Sequence, residues 1–403
     1  MEPARYAEHG IVVVGAGLAG VRTGQELRAR GYDDRLTIIG AETFPSYDRP
    51  PLSKGVLLAA DGIEPTLPAL DVDLAGLGAR VHRGERAVGL RPGVLSTTAG
   101  EIAYDGLVLA CGARPRTVPG AGARTLRTWD DAVRLRALLR AGAHVVIIGA
   151  GWIGAEVATA ALAHGSAVTV LESAATPVPA LGYAVGHRLA GRFARAGADL
   201  RTGALVSGTR AGRVLLEDGR SIDADVVLTA IGVRADTDWL RGSGIALAAD
   251  AGGGVAVDEA LRTGWPGVVA AGDCAARWSS RYGTRIRTEH WDDALHAPAV
   301  AAASLLGEPA TYDPVPYVWS EQFGGYVQCQ GHFAGEPDSW REDGDTWAAG
   351  WTAADGTLTG LVALDRPRDA VQAGKAIAAG AVLDREAFAD PSVPLRRAVR
   401  SVR

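Results

Sequence analysis

Two segments of the chain repeat one pattern of apolar and turn positions: a β-branched run, a glycine turn, a proline-free apolar stretch, and a second β-branched run. In the first, Ile11–Val14 leads into Gly15, Gly17 and Gly20, followed by Val21–Arg30 and Leu36–Ile39. In the second, Val145–Ile148 leads into Gly149, Gly151 and Gly154, followed by Ala155–Leu162 and Val168–Leu171. Short Val/Ile runs predict buried strands, and the stretches between them predict helices. Each segment is a βαβ unit, so the expected fold class is α/β with two Rossmann-like dinucleotide-binding domains. From about residue 315 the pattern changes. Tyr317–Gln322, Gly325–Gln330 and Thr346–Thr352 alternate as antiparallel strands do, and a helix is expected near Arg368–Ala379, giving an α+β C-terminal domain.

Strand, glycine turn and helix in that order give the G-x-G-x-x-G spacing its meaning. Gly149 permits the tight turn, Gly151 lets backbone approach a pyrophosphate, and Gly154 lets helix and strand pack closely. The helix N-terminus, with Trp152 and Ile153, offers N–H groups to phosphate. Glu172 closes the next strand 18 residues after Gly154. A carboxylate there accepts both ribose hydroxyls and repels a 2′-phosphate, and Ser173–Thr176 supply no arginine to neutralise one, so NADH is expected over NADPH. In the first unit the acidic position is less clean: the strand ends at Gly40, and the ribose contact falls to Glu42 or to nearby backbone. Two copies mean either one dead site or two dinucleotides at once. Two make chemical sense if one is a flavin, which accepts a hydride that a diffusing nicotinamide delivers.

A chain of 403 residues is expected to form two or three domains. With 47% hydrophobic and 22% charged residues it reads as soluble and globular. A net charge of −5 argues against nucleic acid or an anionic membrane as main partner. The longest apolar stretch, Ala294–Leu306, is interrupted by His296 and Pro298, and MEPARYAEHG lacks the features of a signal peptide, so a cytoplasmic location is expected. Cys111, Cys274 and Cys329 form no C-x-x-C or C-x4-C pair, which removes a metal ligand set and a dithiol centre; all three are expected to be small buried residues.

Further segments are YDRPPLSK (Tyr47–Lys54), LACGARPR (Leu109–Arg116), LRTWDDA (Leu126–Ala132), AIGVRAD (Ala230–Asp236), AAGDCA (Ala270–Ala275), EHWDDAL (Glu289–Leu295) and YVWSEQFG (Tyr317–Gly324). Pro50 and Pro51 stiffen the chain before a short helix that presents Arg49 and Lys54, and Asp273 stands just past a strand end at an expected helix start. Together with the two loops, in this order, these segments resemble the FAD-dependent NADH:ferredoxin reductases of bacterial cytochrome P450 and ring-hydroxylating oxygenase systems, the putidaredoxin reductase type. The resemblance covers about residues 10–400 and implies the glutathione-reductase-like class. It implies an FAD-binding domain at 1–114 and 241–314, an NAD-binding domain at 115–240 and a C-terminal interface domain at 315–403.

By that resemblance Gly15, Ala16, Gly17, Leu18, Ala19, Gly20 and Glu42 hold tightly bound FAD, with Arg49, Val88 (by its backbone), Cys111 and Arg127 as further contacts. Asp273 holds the ribityl chain, and Glu289, His290 and Trp291 reach the flavin pyrimidine edge, Trp291 by its backbone N–H. Lys54 and Glu156 pair beside the reacting N5–C4 axis, and Gly232 belongs to the NAD site. Trp152 has two readings, an aromatic cover over the flavin or a residue packing the βα corner. The departures are Cys111 for Thr, Ala235-Asp236 for Pro-Asn, Ala41 for Asp, and Asp293 and His296 where Asn and Gln often stand.

The implied reaction is hydride transfer from NADH to FAD, then single electrons to an external, acidic iron–sulfur ferredoxin. No metal is held by the chain itself, and a monomer or weak homodimer is expected. Candidate docking charges are Arg277, Arg281, Arg285, Arg287, Arg366, Arg368, Arg396, Arg397 and Arg400. A dithiol reductase lacks its cysteine pair, and a peroxide-reducing enzyme lacks a cysteine near Ser53-Lys54. The alternative from another class is an FAD/NADH-binding redox sensor resembling the apoptosis-inducing-factor branch.

Overall fold

The computed structural model describes residues 8–60 and 62–400. The first seven residues, read above for a leader, lie outside the described residues. The chain divides into two compact units, one formed by 1–48, 67–114 and 233–313, the other by 49–66, 115–232 and 314–403.

The first unit is built on a five-stranded parallel sheet in the order Val268–Ala270, Gly106–Leu109, Ile11–Val14, Leu36–Gly40, Ala79–Arg83. Its central strands are buried throughout, as the unbroken Val/Ile/Leu runs require of a sheet covered on both faces. The helix Leu18–Ala29 follows the first strand and packs on the helix Trp291–Leu305. The apolar stretch that was too interrupted to span a membrane is thus a core helix, with Ala297, Ala301 and Ala302 buried. Two small sheets complete this unit, Ala87–Arg91 with Val94–Thr97 and Gly100–Ala103, and Leu247–Ala248 with Gly254–Val257, Ala275–Ser279 and Thr284–Ile286.

The second unit repeats the parallel plan, with the strand order Asp199–Arg201, Ala167–Leu171, His144–Ile148, Val226–Thr229, Ala123–Arg124. The segment 49–66 is held here by hydrogen bonds from Arg136 Nε to the Ala59 carbonyl (2.8 Å) and between His164 Nε2 and the Leu57 carbonyl (2.7 Å). The C-terminal part is a five-stranded antiparallel sheet, Tyr317–Gln322, Gly325–Gly331, Leu358–Leu364, Thr346–Thr352, Ser339–Asp343. On it the helix Pro367–Ala378 buries Ala370, Ala373 and Ile377. A second apolar cluster joins Val327, Trp347, Trp351 and Val362 of the sheet to Leu181, Val185 and Leu189. The helix Tyr183–Ala196 is capped by Glu336, which accepts from the Tyr183 and Ala184 N–H groups at 2.6 and 2.9 Å.

Among the described residues no helix is long and apolar enough to cross a membrane, and no group of three or more His, Cys, Asp or Glu could hold a metal ion. One expectation is corrected. No helix starts at Asp273: Gly272–Cys274 is a single 3-10 turn, and the chain runs straight into the strand Ala275–Ser279. The reason is pairing, since Ala275, Ala276 and Arg277 stand in register with Val255, Ala256 and Val257.

Candidate functional site

Both glycine turns sit at the C-terminal end of a central parallel strand, where strand order reverses and ligands of open α/β sheets bind. Their three glycines have different reasons. Gly15 has φ +120°, and a Cβ there would strike the Ala110 carbonyl; one on Gly20 would strike the Gly15 carbonyl. In the second turn Gly149 has φ +104° and faces the Ala230 carbonyl, while Gly154 lies against the Gly149 carbonyl. The middle glycines are unlike these. Around Gly17 and Gly151 a Cβ would meet nothing within 4 Å, and neither has a left-handed φ. Nothing inside the protein excludes alanine there, so the open space is room for something the backbone must approach.

Gly17 and Gly151 are also the N-caps of the helices Leu18–Ala29 and Trp152–Ala163, with no side-chain cap at either end. Uncapped first turns direct N–H groups and partial positive charge into that space, the donor set for a phosphate. The structure thus has two cradles whose shape and chemistry fit a pyrophosphate.

In the first unit, Ala16, Leu18, Ala19 and Cys111 lie around the first turn, Cys111 directly after its neighbouring strand Gly106–Leu109 and Ala110. Glu42 accepts from the Tyr47 hydroxyl at 2.5 Å. Trp291 is the first residue of its helix, after His290 as N-cap, and its indole donates to Asp48 Oδ1 at 2.7 Å. Arg287 donates to the Asp273 carbonyl at 3.1 Å and pairs with Glu289. Val88 is half-exposed on its strand. Beneath this surface Arg277 and Asp293 form a buried pair, Nη1 to Oδ1 3.3 Å. Burial pushes the Asp293 carboxyl up to about 6 despite that arginine. Cys111 and Cys274, far apart in sequence, are neighbours here. A hydrogen bond to Cys274, with burial, raises the Cys111 thiol well above its ordinary range, and Cys274 Sγ in turn donates to the Leu109 carbonyl at 3.2 Å; both thiols are free.

In the second unit, Glu172 is buried, and its carboxylate accepts from Ala150 N–H at 2.8 Å and Ala174 N–H at 2.9 Å. Ile153 and Gly232 border the second turn, Ile153 exposed and Gly232 at φ +84°. Trp152 is partly buried against the apolar cluster of Val327, Trp347 and Trp351. Arg49 donates to the Arg127 carbonyl at 2.5 Å, and Asp131 fixes Arg127 by accepting its N–H at 3.0 Å.

Lys54 and Glu156 meet: Nζ lies 3.0 Å from Oε2. Glu156 is 3% exposed, on the first turn and a half of the helix that leaves the second dinucleotide turn. Two of its partners were not legible in the sequence. The Ser53 hydroxyl donates to the oxygen that Lys54 uses, and the Ser320 hydroxyl donates to the other at 2.6 Å. Both serines stand inside the segments YDRPPLSK and YVWSEQFG, but nothing local links them to Glu156. Lysine is rare in the chain: of the 41 Lys and Arg residues only Lys54 and Lys375 are lysines.

The docking arginines divide. Arg277 and Arg287 are held by Asp293 and Glu289, Arg366 by Asp369 at 2.6 Å, and Arg285 donates to the Val257 and Ala276 carbonyls. Arg281, Arg368, Arg396, Arg397 and Arg400 are exposed, Arg400 while it pairs with Asp384.

Residues 9–297 match the family described as pyridine nucleotide-disulphide oxidoreductase, and residues 317–399 match the reductase C-terminal family. The chain is 36% identical to the anthranilate 1,2-dioxygenase system ferredoxin–NAD(+) reductase component of Burkholderia cepacia, covering 96% of this chain and 98% of that protein. It is 35% identical to the ferredoxin reductase component of chlorobenzene dioxygenase from a Cupriavidus species, over 97% and 98%. Among solved structures, putidaredoxin reductase in its covalent complex with putidaredoxin superposes with a TM-score of 0.89 at 28% identity, covering 97% of this chain and 98% of that one. The ferredoxin reductase for the CYP199A2 system from Rhodopseudomonas palustris gives 0.88 at 30%, covering 97% and 99%.

Proposed function

The chain belongs to the pyridine nucleotide-disulphide oxidoreductase family, and from that membership we propose that this oxidoreductase is an FAD-containing, NADH-dependent ferredoxin reductase. Its electrons go to a 2Fe–2S ferredoxin that feeds a cytochrome P450 or ring-hydroxylating oxygenase, the kind of system named for its relatives. It acts in the cytoplasm, where the NADH it consumes is regenerated. The FAD portion is 1–114 with 241–314, the NAD portion 115–240 and the interface portion 315–403.

Bound FAD would supply the hydride acceptor for NADH and the single-electron donor for the ferredoxin. The protein's part is to bind and orient. Amides of the turn from Gly15 to Gly20 hold the FAD pyrophosphate, Asp273 the ribityl hydroxyls, and the Trp291 N–H the pyrimidine edge. Amides of the turn from Gly149 to Gly154 hold the NADH pyrophosphate, and Glu172 the adenosine ribose. Lys54, fixed by Glu156, orients the reacting partners.

The observation that carries this reading is the ion pair between Lys54 and the buried Glu156, which stands on the helix that begins at the second pyrophosphate cradle. The test is stopped-flow bleaching of the FAD-loaded protein by NADH and by NADPH, followed by ferredoxin-dependent cytochrome c reduction. Fast bleaching by NADH and a rate that needs ferredoxin are expected. Slow bleaching with a persistent flavin–NAD charge-transfer band favours the redox sensor instead.

A further inference from the structure

Glu156 receives three donors on two oxygens. Lys54 and Ser53 share Oε2, and Ser320 alone occupies Oε1. The Ser320 bond spans 164 positions, from the helix Trp152–Ala163 to the strand Tyr317–Gln322. Ser320 is fully buried, on a sheet whose neighbouring buried positions are Val327, Cys329, Val362 and Leu364. A hydroxyl in such surroundings is costly unless it is bonded.

The direction of its bond is fixed. Gln322, two residues along the strand and on the same face, donates through Nε2 to Ser320 Oγ at 3.3 Å. A serine has one proton to give. With Gln322 on its acceptor side, that proton goes to Glu156. The terminal torsion of a glutamate is soft, so an ion pair with one flexible lysine does not set the plane of the carboxylate. Ser320 sets it. Turning the carboxylate would break the bonds to Ser320, Ser53 and Lys54 together.

We propose that Ser320, backed by Gln322, is a positioning residue for hydride transfer: it locks the Glu156 carboxylate and through it the Lys54 ammonium. The C-terminal sheet then serves the NADH half-reaction and not only the contact with ferredoxin. The inference rests on the ferredoxin reductase reading for its catalytic consequence, and on the geometry alone for the lock.

Because Lys54 and Lys375 are the only lysines, amine acylation of the FAD-loaded protein, read by mass spectrometry, reports Lys54 directly with exposed Lys375 as internal reference. Ser320→Ala should raise the Lys54-to-Lys375 acylation ratio about fivefold and lower the limiting rate of flavin reduction about tenfold, with half-saturation by NADH moving less than about twofold. Ser320→Thr, which keeps the hydroxyl, should return both readouts to within about twofold of the parent. In a Glu156→Gln background, Ser320→Ala should change neither further. A parental ratio and rate in Ser320→Ala overturn the inference, as does a Ser320→Ala effect that persists undiminished beside Glu156→Gln. Should Ser320→Ala not fold, Gln322→Leu carries the expectation at about twofold in the ratio, and a parental ratio there overturns it. A parent protein that NADH does not bleach refutes the ferredoxin reductase reading, and the acylation ratio then judges the lock separately.

Discussion

The Glu172 carboxylate accepts the Ala150 N–H at 2.8 Å, so the acidic end of one strand is tied to the dinucleotide turn at the end of its neighbour. One side chain thus serves the shape of the cradle and the selection of the nucleotide. Two substitutions separate the roles. Glu172→Gln loses the charge and one of the two acceptor oxygens; it should raise the NADPH-to-NADH ratio of kcat/KM about tenfold and lower Tm less than the alanine variant does. Glu172→Ala should shift the ratio similarly and lower Tm as well, because Ala150 and Ala174 lose their acceptor. Steady-state kinetics with both nucleotides and thermal melts decide it.

The glycines of each turn should fail in different ways. Gly151→Ala has space for its methyl group, so Tm should hold while KM for NADH rises about tenfold or more. Gly154→Ala drives a methyl group into the Gly149 carbonyl and should lower Tm instead. Gly17→Ala and Gly20→Ala should divide likewise, the first giving a folded protein that retains less FAD. Flavin content after gel filtration, set beside Tm, is the measurement.

Lys54→Met leaves a buried carboxylate without its cation. Uncompensated buried charges cost several kcal/mol, but Ser53 and Ser320 remain on Glu156, so the fall in Tm should be modest, about 2–4 °C. The limiting rate of flavin reduction by NADH should fall more severely, about 10- to 100-fold. Single-turnover bleaching measures the rate.

Asp293 makes stability depend on pH with a definite sign. Its folded pKa is raised to about 6, above the usual carboxylate value, by burial that Arg277 only partly offsets. The folded state therefore binds this proton more tightly than the unfolded state, and the resulting stability is present at low pH and lost as pH rises through about 6. Asp273, Asp292 and Tyr312 also act on this carboxyl. The stability advantage of the parent over Asp293→Asn should be larger at pH 5 than at pH 7, by roughly 1 kcal/mol. Thermal or denaturant unfolding of both proteins at the two pH values measures the difference.

The strands around both turns were legible almost to the residue: Ile11–Val14 is observed as read, and Val145–Ile148 gains only His144. Helix starts were less so. The helix expected from Val21 begins at Leu18, because the residues closing the glycine turn already have helical backbone. The helix expected at Asp273 is absent, because strand pairing with Val255–Val257 outweighs what the local residues suggest. Cys111 and Cys274 looked solitary in sequence and stand side by side at the ends of adjoining strands.

The sequence by itself determined the two cradles, because a tight turn, a close backbone approach and an alternation of buried runs are local demands met by residues next to one another. Tertiary structure alone decided the partners of the charged groups. Glu156 meets Ser320, Trp291 meets Asp48, and Asp293 meets Arg277 only after helices and sheets have packed. Which distant side chains share a buried space depends on how whole elements pack, and no single stretch of the chain contains that information.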